Sequence, residues 1–355
     1  MFFLKCGAKV IGYFEICNIF AENFEKMDKI MGLGNALVDA LVMLDNDETL
    51  AELGLRKGAM TLIDREKYIK ISEIFSHLKV YRSTGGSAGN AMLALASLGA
   101  EVGFIGKVGD DENGRFFRKS LEAHGIESHL LVDEEQPSGV ASTFIATDGE
   151  RTFGTHLGAA ANLRASDFNI GLFKGYAYLL VEGYLVQDHD AILQAIELAR
   201  QAGVQVCIDL STCNLVEAER DFFSLLINKY VDIVLANEEE AKAFTGQAPQ
   251  EAVDTIGQMC SIAIVKCGAR GALIRKGTER IEVPAIRVNQ VVDTTGAGDF
   301  FAAGFLYGLV SGCPLQKCGH IGATVAAEVV QIVGTTLPAE SWERINRNIQ
   351  QIKID

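Results

Sequence analysis

Three features of the chain predict an α/β fold, a mainly parallel sheet flanked by helices with a small β lid. Short apolar runs alternate with amphipathic helical stretches between residues 100 and 265, the pattern of strands joined by crossover helices. Hydrophobic residues make up 48% of the 355, with 36 glycines and only 5 prolines, which suits one large domain with at most a small accessory piece. Two stretches, about 39–64 and 137–158, break the alternation and read as short strands and turns, expected to form a lid at one edge.

The elements follow in order. Residues 1–26 are hydrophobic in patches, but Glu15 and Glu22 interrupt any signal-type core and no small-residue cleavage site follows. They are expected to be a weakly structured extension ahead of Met27, where an upstream start codon is one explanation; residues 27–355 then form the main domain. "KIMGLGNALVDALVML" starts a strand near Ile30, passes through glycines and enters a second apolar run. "EVGFIGKVGDD" is a strand, and the helix through "ENGRFFRKSLEAHG" stops at Gly125. "GVASTFIATDGERTFGTHLGAA" alternates like an antiparallel pair around "TDGE". "GYAYLLVEGYLV" is a buried strand; "DAILQAIELARQAG" is an amphipathic helix ending at Gly203, and "VQVCIDLS" the strand after it. "DFFSLLINKY" and "VDIVLANEEE" repeat helix then strand, "SIAIVKCG" and "GALIRKG" add two strands, and the chain after Asp293 is mostly helical. In such sheets ligands bind at the carboxyl ends of the strands.

The net charge of −14 disfavours nucleic acid as a partner, because an acidic chain repels phosphate backbones. The eight cysteines form no CxxC, and no paired histidine spacing accompanies them, so they read as reduced thiols of a cytoplasmic protein. The longest uncharged run, Phe300 to Gln316, is broken by glycines, a proline and a glutamine and is too short to span a bilayer, so no membrane partner is expected.

The stretch with most chemistry is "VVDTTGAGDFFAAGFLYGL", residues 291–309. Gly296, Ala297 and Gly298 lack bulky side chains, so their amides can approach a ligand closely. The helix behind them leaves its first N–H groups unpaired at its positive end, a place for an anionic oxygen. Asp299, in the first turn, could take a proton from a hydroxyl attacking phosphorus while the amides hold charge on the moving phosphoryl group. Taken alone, the turn reads equally well as a simple helix cap. It matches neither the dinucleotide fingerprint nor the Walker loop.

Together with "STGGSAGNAMLALASLGA", residues 83–100, this stretch resembles the paired signatures of the ribokinase/PfkB carbohydrate kinase family. The resemblance runs from about Met27 to about residue 340, and "GNALVDAL", "GKVGDDENG", "NEEEAKAFTG" and "VKCGARGAL" agree with it. It implies a three-layer ribokinase-like fold with a small β lid, and an ATP- and Mg²⁺-dependent phosphotransferase acting on a small alcohol, with K⁺ as a further cofactor in many members. It further implies Asp299 as catalytic base, with Gly296, Ala297 and Gly298 as its anion hole. Asp293 matches a residue beside the monovalent cation site, and serves equally well as a turn cap. Asn237 and Glu240 match the N-x-x-E motif that holds magnesium-bound water and phosphate. Lys266, Gly268 and Gly271 match the loop along the nucleotide, where many members have Thr at the Lys266 position. "GHIGATVAAEVV" matches the small-residue wall of the adenine pocket, and tight helix packing explains it equally.

On the acceptor side, Asp39 matches the residue that binds two sugar hydroxyls, which suits a carboxylate because it can accept from both. Gly85 and Gly86 match the hinge, and Asn90 a further sugar ligand. Asn35 either binds or shapes the turn; Glu182 points either at the substrate or at solvent. "GLRKGAMTLID", "ERTFGTHLGAAANL" and "LVEGYLV" look most like the bacterial adenosine-kinase-like branch. Phe153, His156, Leu157, Met60 and Tyr184 could then wall a flat slot for a base, or be ordinary lid apolar residues. Adenosine is the favoured acceptor; ribose, fructose or 2-keto-3-deoxygluconate is the alternative. A non-catalytic sensor would be expected to lose Asp299 or the glycines, and an oxidoreductase lacks its glycine fingerprint. In this family lid edges often pair between subunits, so a homodimer through the lid and a monomer both stand.

Overall fold

The computed structural model describes residues 28–58, 60–148 and 150–354; the expectation for residues 1–26 lies outside them. Two sheets organise the described chain. The large one has nine strands: β1 (Lys29–Leu33), β5 (Val102–Gly109), β6 (Glu127–Asp133), β9 (Tyr176–Glu182), β10 (Gln205–Asp209), β11 (Ile233–Asn237), β12 (Ile262–Lys266), β13 (Ala272–Lys276) and β14 (Glu279–Val283). Their order is β14-β13-β12-β11-β10-β9-β1-β5-β6. Every pairing from β12 to β6 is parallel, and β13 and β14 extend the sheet antiparallel.

The parallel strands are apolar on both faces, and their alternation assigns each face to a layer. Ile233 and Leu235 of β11, with Ile262 and Ile264 of β12, pack in the layer that holds the helices Ser87–Ser97, Ala297–Val310 and Leu315–Val329. Val234, Ala236, Ala263 and Val265 pack in the opposite layer, with His189–Gln201, Arg220–Lys229 and Pro249–Gly257. Local chemistry fixes the helix ends. Asp111 and Asp188 cap the starts of Glu112–Ala123 and His189–Gln201 by accepting from Gly114 N and Ala191 N. Gly125 and Gly203 follow those helices with φ of +69° and +83°.

The small sheet has the order β3-β8-β7-β2-β4, from β2 (Leu37–Met43), β3 (Met60–Leu62), β4 (Tyr81–Gly85), β7 (Gly139–Ile145) and β8 (Arg151–His156). It extends beyond the expected 39–64 and 137–158 by taking in β4. One face packs under the Arg65–Ser76 helix through Ala40, Val42, Ile71, Phe75, Val140 and Phe144. The other carries Asp39, Arg151 and Phe153 and leaves Met43, Met60, Leu62 and Tyr81 half or more exposed. No helix among the described residues is long and apolar enough to cross a membrane.

Candidate active site

Strands β9 to β12 each end in a polar residue: Glu182, Asp209, Asn237 and Lys266. Alternation along each strand turns all four toward the layer of the Ala297–Val310 helix, whose Gly298 lies beside Lys266 and whose Asp299 lines a small cavity with Glu182 and Asp209. Gly296 is the N-cap of that helix, with φ of +76°, and a side chain there would clash with Thr335 at 2.6 Å. A Cβ on Gly298 would lie 3.0 Å from Lys266 Nζ. The turn is therefore glycine-rich for two reasons, a left-handed φ and a close neighbour.

Asp299 is held from the Ser87–Ser97 helix. Ser87 Oγ donates to its Oδ1 at 2.6 Å and Asn90 Nδ2 to its Oδ2 at 2.9 Å. Thr335 Oγ1 donates to Asn90 Oδ1 at 3.3 Å, which fixes the amide with its NH₂ toward the carboxylate. Asp39 lies on β2 across the cleft, its carboxylate packed over Gly85, where any Cβ would lie 2.2 Å from its Oδ1. Gly86 has φ of +85°, and a Cβ there would be 2.2 Å from the Asn35 carbonyl. These glycines make room for acidic side chains and backbone at one convergence point. Asp293 accepts from Thr295 N and Oγ1, and its other oxygen accepts from Gly334 N at 2.8 Å and pairs with Arg151 Nη1 at 2.8 Å.

The match to known proteins agrees with this geometry. Residues 61–342 fit the model of the pfkB family carbohydrate kinase. The chain belongs to that family. It is 34% identical to a probable sugar kinase protein from Rhizobium etli, whose crystal structure superposes with a TM-score of 0.81 over 93% of this chain and 100% of that one. Adenosine kinase from Sinorhizobium meliloti is 33% identical, with a TM-score of 0.80 over 92% and 99%. A 5-dehydro-2-deoxygluconokinase from Geobacillus thermodenitrificans is 29% identical over 286 residues, 76% of this chain and 85% of that one. The protein is thus a phosphotransferase with a hydroxyl acceptor, in a family that uses ATP with a metal ion on sugars and nucleosides.

Within this kinase, some expected residues converge and others do not. Gly296, Ala297, Gly298, Asp299, Asn90, Gly85, Gly86 and Asp39 gather at the mouth of the Ala297–Val310 helix. Glu182 faces neither an open cleft nor solvent. It is 2% exposed and accepts from Asn35 Nδ2 at 2.8 Å and Ala88 N at 3.2 Å, so it ties the end of β1 to the Ser87 helix. His156 is a correction: it shares a face with Thr152 and Gly154, the face under the Arg65–Ser76 helix, and stacks on Tyr68 at 4.7 Å. Phe153 has the opposite parity and shares the Arg151 face.

Asn237 and Glu240 form a capping box for Glu238–Thr245, with Glu240 N donating to Asn237 Oδ1 at 2.9 Å and Asn237 N to Glu240 Oε2 at 2.8 Å. No cluster of three metal-type ligands exists among the described residues. A single buried carboxylate fits a metal that keeps its own waters. Lys266 pairs with Asp209 at 2.7 Å. Gly271 has φ of +96° and no room for a Cβ, which would be 1.9 Å from the Val283 carbonyl; Gly268, at +53°, faces open space. The small residues of "GHIGATVAAEVV" allow close helix packing, with a Cβ on Gly304 only 2.8 Å from Gly322 Cα.

Ser87, Thr335, Asp209 and Arg151 were not singled out from the sequence. Asp209 was findable by the same strand-end rule that selected Glu182. Arg151 was findable by its alternation with Phe153.

Burial gathers acids that resist ionisation. It pushes Asp39 up to about 7, with the Asp299 charge adding and Arg151 opposing. It pushes Glu182 to about 7 against the bonds from Asn35 and Ala88. Asp299 rises to about 6, chiefly by burial, despite donation from Ser87 and Asn90. Each of these acids binds its proton more tightly folded than unfolded. Their contribution to stability is therefore greatest below the unfolded values and falls as pH rises through about 4 to 7. Thermal melts at pH 5 and pH 8 should show this, and Asp39→Asn should narrow the gap between them. An unchanged gap would contradict the burial of Asp39 as an ionisable acid.

Proposed function

We propose that this kinase transfers the γ-phosphate of ATP to the primary hydroxyl of adenosine or a related nucleoside, with Asp299 as the base. The half-buried Asp299 at the mouth of an amide-bearing helix, facing Asp39, carries this reading. Asp39 accepts from two ribose hydroxyls and aims the third at Asp299. The Gly296–Gly298 amides stabilise charge on the transferred group. Asn237 and Glu240 would hold the waters of a metal ion bound with ATP, and such an ion would neutralise phosphate charge. Closure of the small sheet about Gly85 and Gly86 excludes water.

The acceptor is argued from a cavity of about 270 Å³ beside Asn35, walled by Leu33, Leu157, Leu163, Phe168 and Tyr184. Apolar walls and an aromatic side chain suit a base better than sugar hydroxyls. The one cation among the lining residues, Arg164, spends both terminal nitrogens on Ala161 O, Leu163 O, Asp188 and Asn162. Its Nη1 is thereby fully committed, which weakens Arg164 as a partner for a sugar-acid carboxylate. ATP consumption across adenosine, ribose, fructose, 2-keto-3-deoxygluconate and 5-dehydro-2-deoxygluconate tests this. Adenosine should give the highest kcat/KM; a sugar acid ahead of it would overturn the acceptor assignment.

A further inference from the structure

Asp209 and Lys266 end β10 and β12, and their side chains meet across the end of β11 at 2.7 Å. Both are largely buried, with side chains 10% and 13% exposed. Burying two charges costs more than such a pair usually returns, so it is weak evidence for stability alone. The place of the ammonium is also unusual. It lies against Gly298, at the positive end of the Ala297–Val310 helix, where a cation is disfavoured unless an anion is close. The next residue along is Asp299.

We propose that Asp209 and Lys266 are paired positioning residues whose opposed charges set the basicity of Asp299. This rests on Asp299 being the base. The Lys266 ammonium, delivered to the turn by Asp209, favours the Asp299 carboxylate. Asp209 favours its protonated form. The balance leaves a carboxylate basic enough to accept a hydroxyl proton yet ionised near neutral pH, which is where a general base works best. The directions of the charge effects agree: Asp209 raises and Lys266 lowers the affinity of Asp299 for its proton. Burial alone would push Lys266 down, but Asp209, Glu240 and Asp299 outweigh it and hold the ammonium charged. Asp39 and Glu182 also face Asp299, with Arg151 beyond Asp39, and the pair acts on top of this acidic background.

The test is a charge cycle on the full-length protein labelled with ¹³C at aspartate carboxyls, titrated by NMR, with Asp299→Asn assigning the signal. Lys266→Met should move the Asp299 midpoint up by about half a pH unit or more, and Asp209→Asn should move it down. Asp209→Asn with Lys266→Met should return it near the parent, and Lys266→Arg should leave it in place. Turnover of Lys266→Met should fall about twofold at pH 6 and converge on the parent by about pH 8, with KM for ATP within about threefold. An unmoved midpoint in both single variants overturns the proposal. So does a large rise in KM for ATP with the midpoint unchanged, which makes Lys266 a nucleotide ligand. If either single variant fails to fold, the neutral double variant and the other single variant still decide the question. Retained turnover in Asp299→Asn would sink the base assignment and leave the titration result standing.

Discussion

Asp299→Asn should turn over about a thousandfold more slowly than the parent, with KM for ATP and acceptor changed by less than about threefold. The substitution is close to isosteric, and the hydrogen-bond frame can accommodate it. Asn90 Nδ2 can still donate to the new amide oxygen, and the Ser87 hydroxyl can rotate to accept from its NH₂. What is lost is the lone pair that accepts the hydroxyl proton. The glycine turn and its amides stay, so residual rate above the uncatalysed reaction should remain. Steady-state kinetics with a melting curve separates this from misfolding. Removing an acid held at about 6 should leave the variant at least as stable as the parent at pH 8. Turnover near the parent value would show that another group takes the proton.

Asp39→Asn should raise the acceptor KM about a hundredfold and lower kcat much less. A carboxylate can accept from two hydroxyls at once; an amide accepts with one oxygen and turns a donor toward the second hydroxyl. A hydrogen bond to a charged group contributes about 1.5–3 kcal/mol, and losing one with a mismatch in the other gives the stated loss. The Asp39 carboxyl is held at about 7 by burial, so the acceptor's KM should also rise for the parent as pH falls below that value. The variant should lack this limb. Measuring acceptor KM against pH in both proteins decides it, and an unchanged KM in Asp39→Asn would remove Asp39 from the acceptor site.

The fold was legible because the parallel strands are apolar on both faces and the helices between them carry caps. Asp111, Asp188, Gly125 and Gly203 mark ends that pattern and turn chemistry alone could place. β4 was less visible, since "YRSTG" is polar and half exposed and is held as a strand by pairing with β2. The glycine turn was legible because left-handed φ and close approach demand glycine whatever the surroundings. The partners of the acids were not. Glu182 and Asp209 end neighbouring strands in similar ways, yet one is satisfied by Asn35 and Ala88 and the other by Lys266. Those choices depend on which strands lie side by side. His156 went astray because the resemblance to the adenosine-kinase-like branch suggests an aromatic slot, while strand parity sends its ring to the face away from Asp39.

The β12–β13 hairpin has a mechanical consequence. Its loop is stitched by Cys267 N to Gly271 O at 2.7 Å and Gly271 N to Gly268 O at 3.0 Å, and β14 braces it from behind. Those bonds brace that rim against the rest of the large sheet. If the small sheet is the part that swings, the displacement of a catalytic cycle is shared by the four short spans that join it to the rest of the chain, at 34–36, 86, 134–138 and 157, and stiffening them would throttle product escape before it touched the chemistry.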